Sequence, residues 1–209
     1  MHFEGEYLCD EKSKGKKYYE GKLEFDGEYM DDDEYKGKKY EKGKLIFQGE
    51  LKEREFWTGK KYRNNSEGEL EGEYLNGKKY GKWKEYNKEG NLEFEGEINE
   101  FMGFRKGKCF DEGKLKFEGE FYNNKEWKGK KNLYYNESKE LEGEYEYLYG
   151  FKNGKVIEFY KGGKIRFEGE YLNDIKWNGK GYNPKGELIY EIKNGKGDIK
   201  EFDFNGNEK

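Results

Sequence analysis

Side chains that could form or break covalent bonds are scarce in this sequence of 209 residues. It has one histidine, His2, one threonine, Thr58, and three serines, at positions 13, 66 and 138. A catalytic nucleophile needs a base within hydrogen-bond reach and a third group that orients the base. These residues supply no such set, so we expect no catalytic residues and a protein that is not an enzyme.

Carboxylates are abundant, but their arrangement favours ion pairs over catalysis or metal binding. Pairs such as Glu118 and Glu120 flank a glycine, and a facing lysine-rich strand would keep both ionised. The acidic run 31–34 could attract Ca²⁺, yet it lacks the alternating ligands and the glycine of a calcium loop, so a solvated hairpin tip is the better interpretation. No Gly-Lys pair is followed by the Ser or Thr of a phosphate-binding loop. We therefore expect no metal ion and no cofactor.

Two sets of residues recur in phase and could form a binding surface. The first set is aromatic, and each member stands two positions before a glycine: Tyr35, Trp57, Trp127 and Trp177. Aromatic side chains spaced in this way usually pack in the core of a small β protein. If they are partly exposed, they would instead form a groove for a peptide or a neighbouring subunit.

The second set consists of the lysines that directly follow the same glycines: Lys38, Lys60, Lys130 and Lys180. A ladder of lysines could bind the headgroups of anionic phospholipids such as phosphoinositides. Alternatively, the lysines face glutamates on the next strands. The chain carries 42 basic and 46 acidic residues, a net charge of −4, and this balance favours cross-strand pairs and argues against nucleic-acid binding.

The elements that must position these residues follow from an internal repeat. A glycine flanked mostly by glutamate recurs every 22 to 26 residues, at Gly5, Gly27, Gly49, Gly72, Gly96, Gly119, Gly143 and Gly169. A second glycine, followed by lysine, trails each of them by 9 to 11 positions. We interpret the first set as structural glycines on the apolar face of a strand, where the missing side chain leaves room for a neighbouring ring. A ninth, altered unit spans about 188–206.

Within each unit the residues alternate between apolar and polar, which indicates a strand with one buried face. In the fifth unit Leu92, Phe94 and Ile98 fall on one side, and glutamates fall on the other. Turn signals separate the strands, as at Asn76-Gly77 and Glu112-Gly113. The absence of alanine and the presence of 31 glycines exclude an all-helical fold. The sequence therefore predicts an all-β fold, a single domain over 1–209 in which nine hairpin units form an elongated single-sheet antiparallel meander, about 85 Å long.

The segments 72–86 and 169–182, Gly-Glu-Tyr-Leu-Asn-Gly-Lys-Lys-Tyr-Gly-Lys-Trp-Lys-Glu-Tyr and Gly-Glu-Tyr-Leu-Asn-Asp-Ile-Lys-Trp-Asn-Gly-Lys-Gly-Tyr, resemble MORN repeats. The variant is the one also seen in relatives of bacterial toxin-antitoxin components, and the resemblance covers almost the whole chain. It implies an elongated, twisted β-meander with a non-enzymatic role in binding proteins or membranes.

We thus expect a scaffold for protein–protein interaction. The alternatives are a peripheral module that binds anionic phospholipid membranes and, from the resemblance alone, an antitoxin-like inhibitor. The start of the chain has no basic or apolar region of an export signal, and Cys9 and Cys109 are not in a CxxC spacing. These features predict a cytoplasmic location. If the protein binds a membrane or the cytoskeleton, we expect it at the periphery of that structure. The first and last strands expose backbone groups, so weak end-to-end self-association is a further expectation.

Overall fold

The computed structural model describes residues 1–62, 70–136, 138–200 and 202. In this part of the chain it contains seventeen β-strands and no helix. The predicted all-β antiparallel meander is therefore confirmed. The chain forms two compact units, Met1–Arg105 and Lys106–Lys209.

The first unit is an antiparallel meander in which each strand pairs with the next one along the chain. Its strands are β1 (His2–Leu8), β2 (Glu11–Tyr19), β3 (Lys22–Met30), β4 (Asp33–Glu41), β5 (Lys44–Lys52), β6 (Glu55–Lys61), β7 (Leu70–Leu75), β8 (Lys78–Tyr86) and β9 (Leu92–Asn99).

The second unit follows the same scheme. Its strands are β11 (Lys114–Tyr122), β12 (Lys125–Tyr134), β13 (Leu141–Leu148), β14 (Phe151–Phe159), β15 (Ile165–Leu172), β16 (Ile175–Tyr182) and β17 (Leu188–Ile192), while β10 (Phe104–Asp111) begins just before the boundary between the units. The altered ninth unit contains β17 and the turn at Asn194–Gly195; Gly206 lies outside the described residues.

The turns predicted at Asn76-Gly77 and Glu112-Gly113 are confirmed. Asn76 and Gly77 have φ of 49° and 73°, and Glu112 and Gly113 at the opposite end of a hairpin have 48° and 76°. Positive φ at both central residues defines the two-residue turn whose twist matches that of the flanking strands. These turns reverse the chain without breaking the ladder of strands.

The repeated glycines of neighbouring strands face each other directly. In the first unit they form a continuous row over six strands: Gly5, Gly15, Gly27, Gly37, Gly49 and Gly59. In the second unit the facing pairs are Gly119 with Gly129 and Gly169 with Gly179. Gly72 and Gly96 instead both face Trp83, and Gly143 pairs with Leu133 and Glu158.

A phenylalanine two residues before the glycine covers each pair with its ring. A Cβ atom added to Gly27 would lie 2.9 Å from the ring tip of Phe25 and 2.7 Å from the Cα of Gly37. Phe25 is fully buried, as are its counterparts Phe47, Phe117 and Phe167. The glycines therefore accommodate both an aromatic ring and the close approach of the facing backbone.

Two repeats have leucine in place of this phenylalanine, and another ring covers their glycine. Leu70 stands before Gly72, and Trp83 on the neighbouring strand covers that glycine. Leu141 stands before Gly143, which lies against the ring of Tyr145. The contact between ring and glycine is thus kept although the residue that supplies the ring changes.

Each unit builds its own aromatic core on this face of its strands. In the first unit one cluster comprises Phe25, Tyr29, Phe47 and Leu51. In the second the corresponding cluster comprises Tyr145, Val156, Phe167, Tyr190 and Ile192. Edge-to-face ring pairs such as Phe25 with Tyr29, at 5.3 Å between centroids, hold these thin cores together.

Candidate functional site

The recurring aromatic position is a β-bulge near the tip of a hairpin. In β12 the register passes from Glu120–Lys128 to Phe121–Glu126, so Trp127 has no partner on β11. The same irregularity makes the other three members of the set bulge residues: Tyr35 in β4, Trp57 in β6 and Trp177 in β16. A bulge re-aims the side chain of its extra residue.

The turn of the following hairpin bonds to the backbone of the bulge. The Gly77 amide donates a 2.8 Å hydrogen bond to the Trp57 carbonyl, and the Gly195 amide donates one of the same length to the Trp177 carbonyl. The Gly150 amide donates to Trp127 at 3.1 Å. Each bulge tryptophan is therefore held beside the next hairpin turn.

The aromatic set is partly exposed. Tyr35 is 36% exposed and Trp127 is 39% exposed, while Trp57 and Trp177 are half-buried. None of the four is among the buried residues of the core; the tryptophan that is buried is Trp83, at 1% exposure. The four side chains are therefore partly exposed and do not belong to the buried core. We call these four residues, two in each unit, the bulge aromatics.

An open cleft of about 390 Å³ lies beside Trp57. Phe56, Trp57 and Tyr74 supply its aromatic walls, and the turn glycine Gly77 lies against the Trp57 ring. Its charged lining residues are Lys52, Glu53 and Glu55. The cleft combines ring faces with carboxylates at one hairpin tip.

The four lysines chosen from the sequence lie on the opposite, charged face. Lys130 stands in register between Glu118 on β11 and Glu146 on β13. The other three alternate with neighbours in the same way: Lys38 with Asp26 and Gln48, Lys60 with Gln48 and Glu73, and Lys180 with Glu168 and Glu191. Each of the four lysines therefore faces at least one acidic residue in register, and Lys130 and Lys180 face two.

Lys38, Lys60 and Lys130 are each followed directly by a second lysine. This second lysine faces the aromatic core, because successive strand residues point to opposite faces. Lys131 stands opposite Phe117, and its Nζ donates a 2.6 Å hydrogen bond to Glu126. Lys39 stands opposite Phe25 and donates to Glu34 at 2.9 Å. The two lysines of such a pair therefore lie in different environments, the first on the charged face and the second on the aromatic face.

The interpretation of the acidic run 31–34 as a solvated hairpin tip is wrong for Glu34, whose side chain is largely buried. Asp31 and Asp32 form the turn, but the Glu34 side chain is only 9% exposed and accepts hydrogen bonds from Lys17 and Lys39. Burial acts to raise the pKa of this carboxyl, and the two lysines outweigh burial and hold the pKa below its ordinary value. The sequence signal that could have identified Glu34 as a buried carboxylate is its position on the same strand face as the phenylalanines.

The same arrangement recurs at Glu158 in the second unit, whose side chain is 5% exposed. Its carboxylate lies 3.4 Å from Arg166 and 3.3 Å from Lys176, and Tyr171 donates a 2.8 Å hydrogen bond to it. Burial opposes ionisation, yet these cations and the Tyr171 hydroxyl keep the pKa of Glu158 below its ordinary value. Burial, reinforced by Glu158, raises the pKa of Tyr171.

A cavity of about 250 Å³ adjoins the Glu158 cluster, with Arg166, Lys176 and Lys200 among its lining residues. Arg166 and Lys176 are already paired with Glu158, so the cluster accounts for much of the charge in this cavity. Within the described ranges, no group of three or more His, Cys, Asp or Glu side chains is placed to hold a metal ion. No helix long and apolar enough to cross a membrane occurs in the described part of the chain.

A scan against protein-family models and a search of curated proteins both found no match for this chain.

Proposed function

We propose that this protein is a non-enzymatic scaffold that binds another protein through its bulge aromatics. The observation that carries the proposal is that Tyr35, Trp57, Trp127 and Trp177 are partly exposed bulge residues. The three tryptophans are also hydrogen-bonded through their carbonyls to the next hairpin turn. Partly exposed aromatic side chains on a rigid frame are typical anchors of protein interfaces, because they bury a large area at a small cost in side-chain entropy.

The charged face supports a protein partner over an anionic membrane. A lipid-binding surface needs lysines whose charge is not already balanced. Lys130 and Lys180 each stand between two glutamates in the register of the sheet. Such a face attracts a vesicle of anionic lipid only weakly.

Site-specific crosslinking tests the proposal. The photoreactive residue p-benzoylphenylalanine replaces Trp127 in one variant and Lys130, three residues away on the charged face, in the control. Irradiation in the native cells is expected to give a discrete covalent product with one other protein from position 127 and none from position 130.

Sedimentation with vesicles provides the second arm. We expect the protein to stay in the supernatant with phosphatidylcholine vesicles and with vesicles that also contain phosphatidylserine and phosphatidylinositol 4,5-bisphosphate. Equal crosslinking from both positions, no product from position 127, or sedimentation with the anionic vesicles alone would contradict the proposal.

A further inference from the structure

We propose that the cleft beside Trp57 binds the cationic side chain of a lysine or arginine from a partner protein. This inference rests on the proposed protein-binding function and assigns a ligand chemistry to one of the bulge aromatics. It is carried by the ring faces, by two carboxylates that form no ion pair with any described residue, and by the position of Lys52 in the cleft.

The cleft already holds a cation on its tryptophan. The Lys52 Nζ lies 4.7 Å from the centre of the Trp57 ring. In the register of the hairpin Lys52 stands opposite Glu55, yet within the described residues these two side chains form no ion pair. The ammonium therefore lies over the ring rather than against the carboxylate, as expected for a cation–π contact.

Two carboxylates, Glu53 and Glu55, line the cleft beside the rings. Neither Glu53 nor Glu55 forms an ion pair among the described residues, although Arg54 between them pairs with Asp33 at 3.1 Å. Both glutamates are exposed at the hairpin tip. Among the described residues that line the cleft, one side chain is positive, Lys52, and two are negative, which gives a net charge of −1. This charge matches a basic ligand.

The corresponding tip in the second unit lacks these features. Trp177 is also a bulge residue and also lies against a turn glycine, Gly195. The positions that correspond to Lys52, Glu53 and Glu55 hold Leu172, Asn173 and Ile175. Trp177 is therefore an internal control that has the same backbone setting without the carboxylates.

A partner cation would displace Lys52 from the Trp57 ring and lie between the ring and the two carboxylates. Arginine fits this arrangement because its planar guanidinium stacks on aromatic faces while its N–H groups donate to carboxylates. Lys52 then acts as an intramolecular competitor. Its removal has opposite effects on a cationic and on an anionic ligand, which makes the proposal testable.

The test uses N-acetyl-arginine amide as the probe and N-acetyl-citrulline amide as its neutral control of the same shape. Binding to the intact 209-residue chain is followed by the indole N–H resonances, with that of Trp57 assigned from its absence in Trp57→Phe. We expect saturable shifts of the Trp57 signal with the arginine compound, at least fivefold weaker binding of the citrulline compound, and no response of Trp177.

Three variants sharpen the result. Lys52→Ala is expected to tighten binding of the arginine compound at least threefold, and Glu53→Gln with Glu55→Gln to weaken it at least threefold. Lys44→Ala, at the other end of β5, serves as the matched control and is expected to change nothing. An unchanged Trp177 signal verifies folding in each case.

Equal binding of the two compounds, an equal response of Trp177, or weaker binding in Lys52→Ala would overturn the inference. These outcomes are separate from the proposed function, because crosslinking from position 127 does not involve this cleft. A crosslinked product together with a failed arginine titration would overturn the cationic ligand alone. A successful titration without any crosslinked product would overturn the proposal that the bulge aromatics bind another protein.

Discussion

Gly119 and Gly129 face each other across β11 and β12 so closely that a Cβ atom on Gly119 would lie 2.6 Å from the Cα of Gly129. The nearest obstacle to that atom is the carbonyl oxygen of Lys128, which belongs to the backbone and cannot rotate away. Gly119 is therefore required because the two strands approach each other closely. The ring of Phe117, which covers this pair of glycines, is a second reason.

Gly119→Val is therefore expected to lower the free energy of unfolding by about 2–3 kcal/mol, although valine has the higher strand propensity. Gly113→Ala is the control: a Cβ there meets nothing within 4 Å, and only its φ of +76° opposes the change. That variant should lose about 1 kcal/mol. Urea unfolding measures both; a stabilising Gly119→Val would show that the strands can separate without cost.

Trp83 and Trp127 are expected to differ in their contributions to stability. Trp83 is 1% exposed, and its indole N–H donates to the Glu73 carbonyl at 3.0 Å. Trp83→Ala should lower the free energy of unfolding by about 3–5 kcal/mol, and Trp127→Ala by about 1 kcal/mol. Thermal unfolding monitored by circular dichroism gives the comparison. Similar losses in the two variants would mean that Trp127 belongs to the core.

Glu158 is expected to make stability depend on acid pH. Its folded-state pKa is lowered, so the stability it contributes is present above its unfolded value of about 4.3 and is lost as the pH falls through the folded value. Glu158→Gln should cost about 3 kcal/mol at pH 7, because Arg166 and Lys176 lose their partner. The difference between wild type and variant should shrink toward pH 3.

Urea unfolding at pH 7 and pH 3 tests this pH dependence. Glu118→Gln is the control, since that carboxylate is 54% exposed and lies 4.0 Å from Lys108. We expect it to change the free energy of unfolding by less than about 0.5 kcal/mol at either pH. A gap for Glu158→Gln that is equal at the two pH values would exclude ionisation of this carboxyl as the cause.

Lys130 and Lys131 are expected to respond differently to the same substitution. Lys131→Met removes the 2.6 Å partner of Glu126, a carboxylate with 23% exposure, and should cost about 1–2 kcal/mol. Lys130→Met on the charged face should cost less than about 0.5 kcal/mol. Chemical denaturation measures both variants. A larger loss for Lys130→Met would reverse the assignment of the two faces.

The turns and the strand pattern were accessible from the sequence because both are local. Asn76-Gly77 and Glu112-Gly113 contain residues that tolerate positive φ, and the structure has them in that conformation. Alternation of Leu92, Phe94 and Ile98 with glutamates requires only that successive side chains point to opposite faces. Together these signals determine a meander with one aromatic face.

The tertiary structure decided what depends on strand pairing. The bulges shift the register by one residue, and this shift places Trp57 and Trp127 at the hairpin tips outside the core. Trp83 is buried because the neighbouring strand carries Leu70 where other repeats have phenylalanine, so a ring from β8 covers Gly72. A residue's own sequence neighbours do not reveal which side chain lies opposite it on the next strand.

The ion pairs, too, were determined partly by the sequence and partly by the tertiary structure. The sequence determined that acidic and basic residues are nearly equal in number, and hence that cross-strand pairs are favoured. Only the fold shows that Glu34 and Glu158 turn toward the aromatic face, where each lies between two cations. The physical reason is that burial and pairing act through distances across strands, and those distances exist only after the strands are in register.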